Sequence, residues 1–145
     1  VYHAHSIVFV PDPRPVFRDA ARVLRPGGIY TTHFPNPYVH GVEESSWDGR
    51  GYAIRQPFAD GAEVAFTDDH WDIGGPDGQT ARVRGPREFR HSLSGVVNTL
   101  IGLGFVVTGL WEDPQGDPDA PPGSWEHLAA WAPPYLELWT RYQAR

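Results

Sequence analysis

The chain of 145 residues contains no cysteine and no methionine, and each absence narrows the interpretation. Without cysteine there is neither a disulfide framework nor a thiolate metal site, and a reducing cytoplasm is the expected location. An intact, unprocessed reading frame starts with methionine, whereas this sequence starts at Val1 and contains no methionine anywhere. We therefore expect that residues upstream are missing.

Long apolar runs and an excess of positive charge are also lacking. No run approaches the roughly eighteen apolar residues of a membrane-spanning helix, and no charged-then-apolar leader opens the chain. The net charge of −6 argues against nucleic acid or an anionic membrane as partner. What is present, 40% hydrophobic and 13% aromatic residues, suits one domain with its own core.

Residues 12–34 form the stretch around which the chain is organised. Asp12 and Pro13 are residues that begin helices, and apolar residues then recur at about 3.6-residue spacing up to Leu24. Pro26 cannot continue a helix, and the two glycines after it permit a sharp reversal into an extended run, residues 29–34. This pattern predicts one helix followed by one strand of a sheet.

The rest of the chain predicts a turn-rich middle segment and a second helix–strand unit. Residues 51–88 alternate β-prone pieces with the turn signals ADG and PDG, which predicts a hairpin-rich insertion. Apolar residues at helical spacing predict a helix over 93–103, and a strand over 105–111 follows Gly104. The prolines and acids of the next loop exclude regular structure, and residues 135–142 are again β-prone.

The wording of these segments resembles class I S-adenosylmethionine-dependent methyltransferases of the small-molecule type. The segment ARVLRPGG, which precedes a β-branched strand, resembles the segment after the family's strand 4. The segment VYHAHSIVFVPDP resembles the end of that strand and the loop after it. The segment FRHSLSGVVNTLIGLGFVVTGLWEDP resembles a later helix and strand. The resemblance implies an α/β fold with a partial Rossmann-like sheet that contains the end of strand 4 and then strands 5, 7 and 6 of the family. The final strand of the sequence, residues 135–142, is expected to lie antiparallel between the two earlier strands. It divides one domain into residues 1–34, the substrate-side insertion 35–90, and residues 91–145.

The family's glycine-rich loop and the acidic residue that hold the cofactor have no counterpart in this sequence. The resemblance therefore implies the C-terminal, substrate-side half of an enzyme that transfers a methyl group from S-adenosylmethionine to a small-molecule acceptor. Such a half is expected to be inactive alone, to need the missing N-terminal half as its partner, and to be prone to self-association.

Candidate site residues follow from position at the carboxyl ends of the first two strands, where ligands of open α/β sheets collect. The resemblance places Tyr2, His3 and Ala4 beside the cofactor and His5 on the substrate side. In the loop after the second strand, Phe34, Asn36 and Tyr38 are expected to contact substrate. His5, His33 and His40 are candidate bases, because histidine titrates near neutral pH. We expect His3, His33, Asn36 and Tyr38 to converge in one cleft, although each residue singly also suits a packing or solvated role.

Two other classes of function remain open at this point. One is a non-catalytic interaction domain of the same fold, whose exposed first strand pairs with another chain. The other is a metal-dependent hydrolase, although His-x-His without a third ligand is a weak metal motif. For Asp68, Asp69 and Asp72 we expect solvation and turn capping rather than metal binding.

Overall fold

A computed structural model describes residues 1–144; the last predicted segment, 91–145, ends one residue beyond them. Short 3₁₀ turns cover Ser6–Phe9 and Glu44–Ser46. In chain order the helices and strands are β1 (Tyr2–Ala4), α1 (Arg14–Val23), β2 (Ile29–Pro35), β3 (His70–Gly74), β4 (Thr80–Arg84), α2 (Leu93–Gly102), β5 (Phe105–Asp113), α3 (Trp125–Trp131) and β6 (Tyr135–Tyr142).

The first helix–strand unit forms as its sequence predicts. The Asp12 carboxylate accepts a hydrogen bond from the backbone N–H of Arg14 at 3.0 Å, which satisfies one of the unpaired donors of the first turn of α1. At the other end Gly27 has a φ of 83°, a conformation that glycine adopts without strain, and the chain reverses there into β2.

The main sheet has the strand order β1-β2-β6-β5. β1 is parallel to β2, and β6 lies antiparallel between β2 and β5. This is the predicted topology, including the final strand inserted between the two earlier ones. Because β6 runs in the opposite direction, its first residue, Tyr135, lies beside Pro35 at the end of β2 and Asp113 at the end of β5.

The insertion and the following loop differ from expectation. The insertion contains one hairpin, β3–β4, and an isolated bridge between Glu63 and Phe89 rather than several hairpins. Residues 52–58 do not form a strand. Two side chains hold this segment in place: the Gln56 amide pairs with the backbone of Ala65, and Arg90 donates to the carbonyl of Pro57. The sequence analysis also missed α3, whose first turn is capped by Ser124.

The two faces of the main sheet have different surroundings. Helices α1 and α2 cover one face, where Phe17, Leu100 and Leu138 belong to a continuous core. Alternation along the strands sends Trp139 of β6 and Trp111 of β5 to the other face, and they are 43% and 50% exposed. That second face therefore carries large apolar side chains in contact with solvent.

Candidate active site

A cavity of about 140 Å³ lies at the carboxyl ends of β1 and β2. Its polar groups come from His5, His40, Glu88 and Tyr135. Apolar and aromatic side chains complete the wall, namely Val39, Val42, Phe66, Trp125, Pro35 and Pro134. A few convergent polar groups in a mainly apolar hollow are typical of small-molecule sites.

His5 enters this cavity from an unusual backbone conformation. Its φ of 59° and ψ of −3° lie in the left-handed region, and no other non-glycine residue of residues 1–144 has a positive φ. The His5 N–H donates to the His33 carbonyl at 2.8 Å, which fixes the residue directly after β1. Backbone strain of this kind tends to cluster at functional sites.

His40 forms a nearly buried pair with Glu88. The distance between His40 Nε2 and Glu88 Oε2 is 2.8 Å, and both side chains are almost fully removed from solvent. An ionised carboxylate only accepts hydrogen bonds, so with Glu88 ionised the Nε2 atom carries the hydrogen and Nδ1 keeps its lone pair. The carboxylate thus sets the imidazole tautomer.

His33 forms a second histidine–carboxylate pair next to the cavity. Its Nε2 lies 3.2 Å from Asp113 Oδ2, and the same oxygen accepts a hydrogen bond from Gln115 at 2.7 Å. The His33 ring lies 4.9 Å from the Tyr135 ring and 6.3 Å from the His5 ring, measured between centroids. The structure therefore places His5 and His33 beside Tyr135, and His40 lines the same cavity as His5 and Tyr135.

Burial affects the protonation of two of these groups. It lowers the pKa of His5 below its usual value, an effect that the Glu88 carboxylate partly opposes. Burial also raises the pKa of Tyr135. At neutral pH His5 is therefore an uncharged imidazole and Tyr135 an uncharged phenol, so the cavity offers a proton acceptor next to a hydrogen-bond donor.

The comparisons with known proteins agree with this architecture. No family model matches the chain. The uncharacterized methyltransferase YbaJ of Bacillus subtilis (strain 168) is 28% identical over 121 residues, which cover 80% of this chain and 43% of that protein. A Listeria monocytogenes protein described as an S-adenosylmethionine-dependent methyltransferase matches 99% of this chain with a TM-score of 0.61 and 14% identity.

A Clostridium acetobutylicum S-adenosylmethionine-dependent methyltransferase gives a TM-score of 0.57 over 99% of this chain at 12% identity. The chain has a class I S-adenosylmethionine-dependent methyltransferase-like fold. It spans less than half of the curated relative's length and about three fifths of these two solved chains. A haloarchaeal protein matched at a TM-score of 0.51 was solved with the Trm112 methyltransferase activator, so protein partners occur among proteins of this fold.

Within this methyltransferase-like fold, the residues expected beside the cofactor divide between the two faces of the sheet. Tyr2 and Ala4 pair with Thr31 and His33 and lie on the face away from α1 and α2. His3 lies on the helix-covered face, where its Nδ1 is 3.0 Å from the Tyr30 hydroxyl. Because His3 and His33 lie on opposite faces, the single cleft predicted for His3, His33, Asn36 and Tyr38 does not form.

The glycines next to the main sheet can be compared with those of a cofactor-binding turn. Gly27 and Gly28 lie between the end of α1 and the start of β2. A cofactor-binding turn has the opposite order, because it follows a strand and precedes a helix. No glycine-rich turn of that second kind follows β1.

The three residues expected to contact substrate lie outside the cavity. Phe34 is 1% exposed and belongs to the core, because the alternation along β2 turns it towards the helices. The Asn36 side chain donates to the Pro133 carbonyl and accepts from the Tyr38 N–H, so it joins the end of β2 to the start of β6. Tyr38 is 65% exposed and stacks on Phe58.

Glu88 and Tyr135 are the residues of this site that the sequence analysis did not single out. Glu88 lies at the end of the insertion, and nothing local marks it as the partner of a histidine 48 residues earlier. The sequence places Tyr135 in the last strand and predicts no functional role for it. The predicted antiparallel insertion of that strand was the available signal, because it requires residue 135 to lie beside the end of β2.

The acidic residues of the hairpin serve the hairpin itself. Oxygen and nitrogen atoms of Asp68, Asp69 and His70 lie within 4.8 Å of one another, but all three residues are exposed. Asp68 binds Arg82 and Asp69 binds Arg84 across the two strands.

None of the helices in residues 1–144 has both the length and the apolar character needed to span a bilayer.

Proposed function

We propose that this segment is the substrate-side half of an enzyme that transfers a methyl group from S-adenosylmethionine to a small molecule. The observation that carries the proposal is the convergence of His5, His40 and Tyr135 at the strand ends of a methyltransferase-like sheet. In open α/β sheets this edge is where substrates bind. The cavity volume of about 140 Å³ suits a small acceptor or one end of a larger one.

His40 is the best-placed base for an acceptor O–H or N–H. Glu88 holds its imidazole in one tautomer and stabilises the imidazolium that forms when a proton is taken up. His5 is a second candidate, because burial keeps it neutral. The aromatic walls, Phe66, Trp125 and Tyr135, exclude water and orient the acceptor. We keep His33, paired with Asp113, as a third candidate base.

The cofactor, when bound, supplies a methyl group on a sulfonium that is already a good leaving group. Tyr2, His3 and Ala4 form the edge strand next to which an upstream half would continue the sheet. We propose that this half contributes the groups that bind the ribose and the carboxylate of the cofactor. Two or three such charge-assisted hydrogen bonds, at roughly 1.5 to 3 kcal/mol each, account for a loss of cofactor affinity between about a hundredfold and about a millionfold in their absence.

The proposal is tested by producing the chain alone and together with its upstream half. Isothermal titration of S-adenosylmethionine should show binding to the complete protein and weak or undetectable binding to the chain alone. Transfer of label from [methyl-³H]-S-adenosylmethionine to a library of small phenols, amines and acids then identifies the acceptor. A complete protein that binds no S-adenosylmethionine would contradict the proposal.

A second candidate function is a non-catalytic interaction domain. The observation that favours it is the exposed edge strand β1, whose far side has no strand neighbour among the described residues. An unpaired edge is a site for strand addition by another chain. Binding of S-adenosylmethionine by the complete protein separates the two candidates, because an interaction domain does not require it.

A further inference from the structure

Arg90 is a buried cation in the substrate-side insertion. Its residue is 5% exposed, and its backbone is fixed on both sides: Gly61 donates to its carbonyl and its own N–H donates to Ala62. Among residues 1–144 no carboxylate forms an ion pair with its guanidinium; the ion pairs there involve other arginines or histidines. Buried charges are normally paired, so this unpaired cation needs an explanation.

The guanidinium uses only part of its hydrogen-bonding capacity. It has five N–H donors, of which one on Nη1 donates to the Pro57 carbonyl and one on Nη2 to the His40 carbonyl, each at 2.8 Å. The Nε atom is buried without any acceptor among the described residues. Burial also lowers the pKa of Arg90 below its ordinary value, as expected for a cation that lacks a counter-ion.

Arg90 lines a second hollow of about 90 Å³, which shares His40, Gly41 and Val42 with the wall of the candidate active site. A second cation, Arg55, lies in its wall together with the Gln56 amide. The remaining wall is largely apolar and includes the stacked rings of Tyr38 and Phe58, with the Arg90 guanidinium carbon 6.0 Å from the centre of the Phe58 ring. The hollow thus combines two positive charges with flat apolar surface.

We propose that this hollow binds the carboxylate of a small organic acid. The planar guanidinium fork matches a carboxylate in geometry, and an anion there supplies the charge that Arg90 lacks. Apolar and aromatic walls suit a carbon skeleton better than they suit an inorganic anion such as phosphate. The site does not depend on the proposed methyl transfer. It adjoins the candidate base, because Arg90 holds the carbonyl of His40.

The test is equilibrium dialysis of the purified complete protein with ¹⁴C-phenylacetate, compared with phenylacetamide, which has the same shape and no charge. Phenylacetate should bind with a dissociation constant on the order of 1 mM, as expected for a ligand of this size, and phenylacetamide at least about tenfold more weakly. Arg90→Gln should weaken phenylacetate binding about tenfold to a hundredfold, because it removes a charge-assisted interaction.

A second variant guards against misfolding of Arg90→Gln, whose side chain no longer bridges Pro57 and His40. Arg55→Glu reverses a charge in the wall of the hollow and should weaken phenylacetate binding about fivefold. Arg50→Glu, an exposed arginine of the same insertion outside the hollow, is the matched control and should leave binding unchanged. Equal binding of phenylacetate and phenylacetamide, no detectable phenylacetate binding at 10 mM, or equal effects of the two glutamate variants would overturn the proposal.

Discussion

At the scale of single residues, the Glu88 carboxylate is the side-chain partner of His40. The pair is nearly buried, at 2.8 Å, so each group keeps the other in a defined orientation. In a buried environment, removal of one partner leaves the other without its hydrogen bond, which costs more than the pair itself contributes. Because His40 is the proposed base and Glu88 is its partner, substitutions at these two positions should have different effects on catalysis.

We predict that His40→Gln in the complete enzyme lowers kcat about a hundredfold to ten-thousandfold, the usual contribution of a general base. Glu88→Gln keeps a hydrogen-bond acceptor but removes the charge, so its loss should be smaller and should change the pH profile of kcat. Initial rates of label transfer from [methyl-³H]-S-adenosylmethionine measure both. His70→Gln, in the exposed hairpin, serves as control. Full activity of His40→Gln together with inactivity of His5→Gln would transfer the assignment to His5.

A second residue-scale prediction concerns His91, which is 6% exposed and lies 2.9 Å from the Ile7 carbonyl through Nε2. Burial lowers its pKa below the usual 6.5, so below that pH the unfolded chain binds more protons than the folded one. The stability that neutral His91 contributes is present above about pH 6.5 and is lost as pH falls through the folded pKa.

Thermal unfolding should therefore show a Tm that falls between pH 8 and pH 5, and His91→Gln should reduce this dependence. Glutamine replaces the Nε2 donor to Ile7 without a titrating ring. The control is His70→Gln, whose side chain is exposed. If both variants keep the slope of the unsubstituted chain, a group other than His91 causes the dependence.

At the scale of elements, the sequence predicted those units whose signals are local. Adjacent residues encode the helix after Asp12, the stop at Gly27 and the final strand. The structure confirms these elements, and their observed ends differ from the predicted ones by no more than one or two residues. The missed α3 also had a local signal, Ser124 at its first turn. By contrast, the His40–Glu88 pair depends on how a 48-residue segment folds back, which periodicity does not encode.

The β3–β4 hairpin is exposed along both strands, and an edge-to-face contact between Trp71 and Phe9 joins it to the rest of the fold. Every residue of both strands is exposed, and the Asp69 carbonyl and the Gly85 N–H at its base are 2.7 Å apart. Replacement of residues 70–84 by Gly-Gly should therefore change the free energy of unfolding by less than about 1 kcal/mol.

Urea denaturation measures this change, with Leu138→Ala as a comparison, because loss of that buried side chain should cost about 2 to 5 kcal/mol. A loss from the hairpin deletion as large as that from Leu138→Ala would show that the hairpin supports the core.

At the scale of the whole molecule, part of the sheet face away from α1 and α2 is exposed to solvent. Trp111 and Trp139 expose large rings on the other face, and β1 is an edge strand. Apolar surface and an unpaired edge both favour association. We predict that the chain alone elutes from size exclusion as oligomers or aggregates, whereas co-expression with its upstream half gives a monodisperse complex.

The double variant Trp111→Arg, Trp139→Arg should shift the lone chain towards monomer by charging that face. Val23→Arg, an exposed apolar position on α1, is the matched control and should not shift it. A monodisperse lone chain with cooperative unfolding well above room temperature would contradict the prediction.

The position of β6 in the sheet also determines the order in which the strands can pair during synthesis. Tyr30 pairs with Thr140, and Phe105 with Tyr142, so the strand that joins β2 to β5 is made among the last residues of the segment. During synthesis β2 and β5 are made before β6, the strand that pairs with both of them. The core therefore cannot form completely before residue 142 has left the ribosome. Apolar surface of β2 and β5 therefore stays open to chaperones until residues 135–142 are available for pairing.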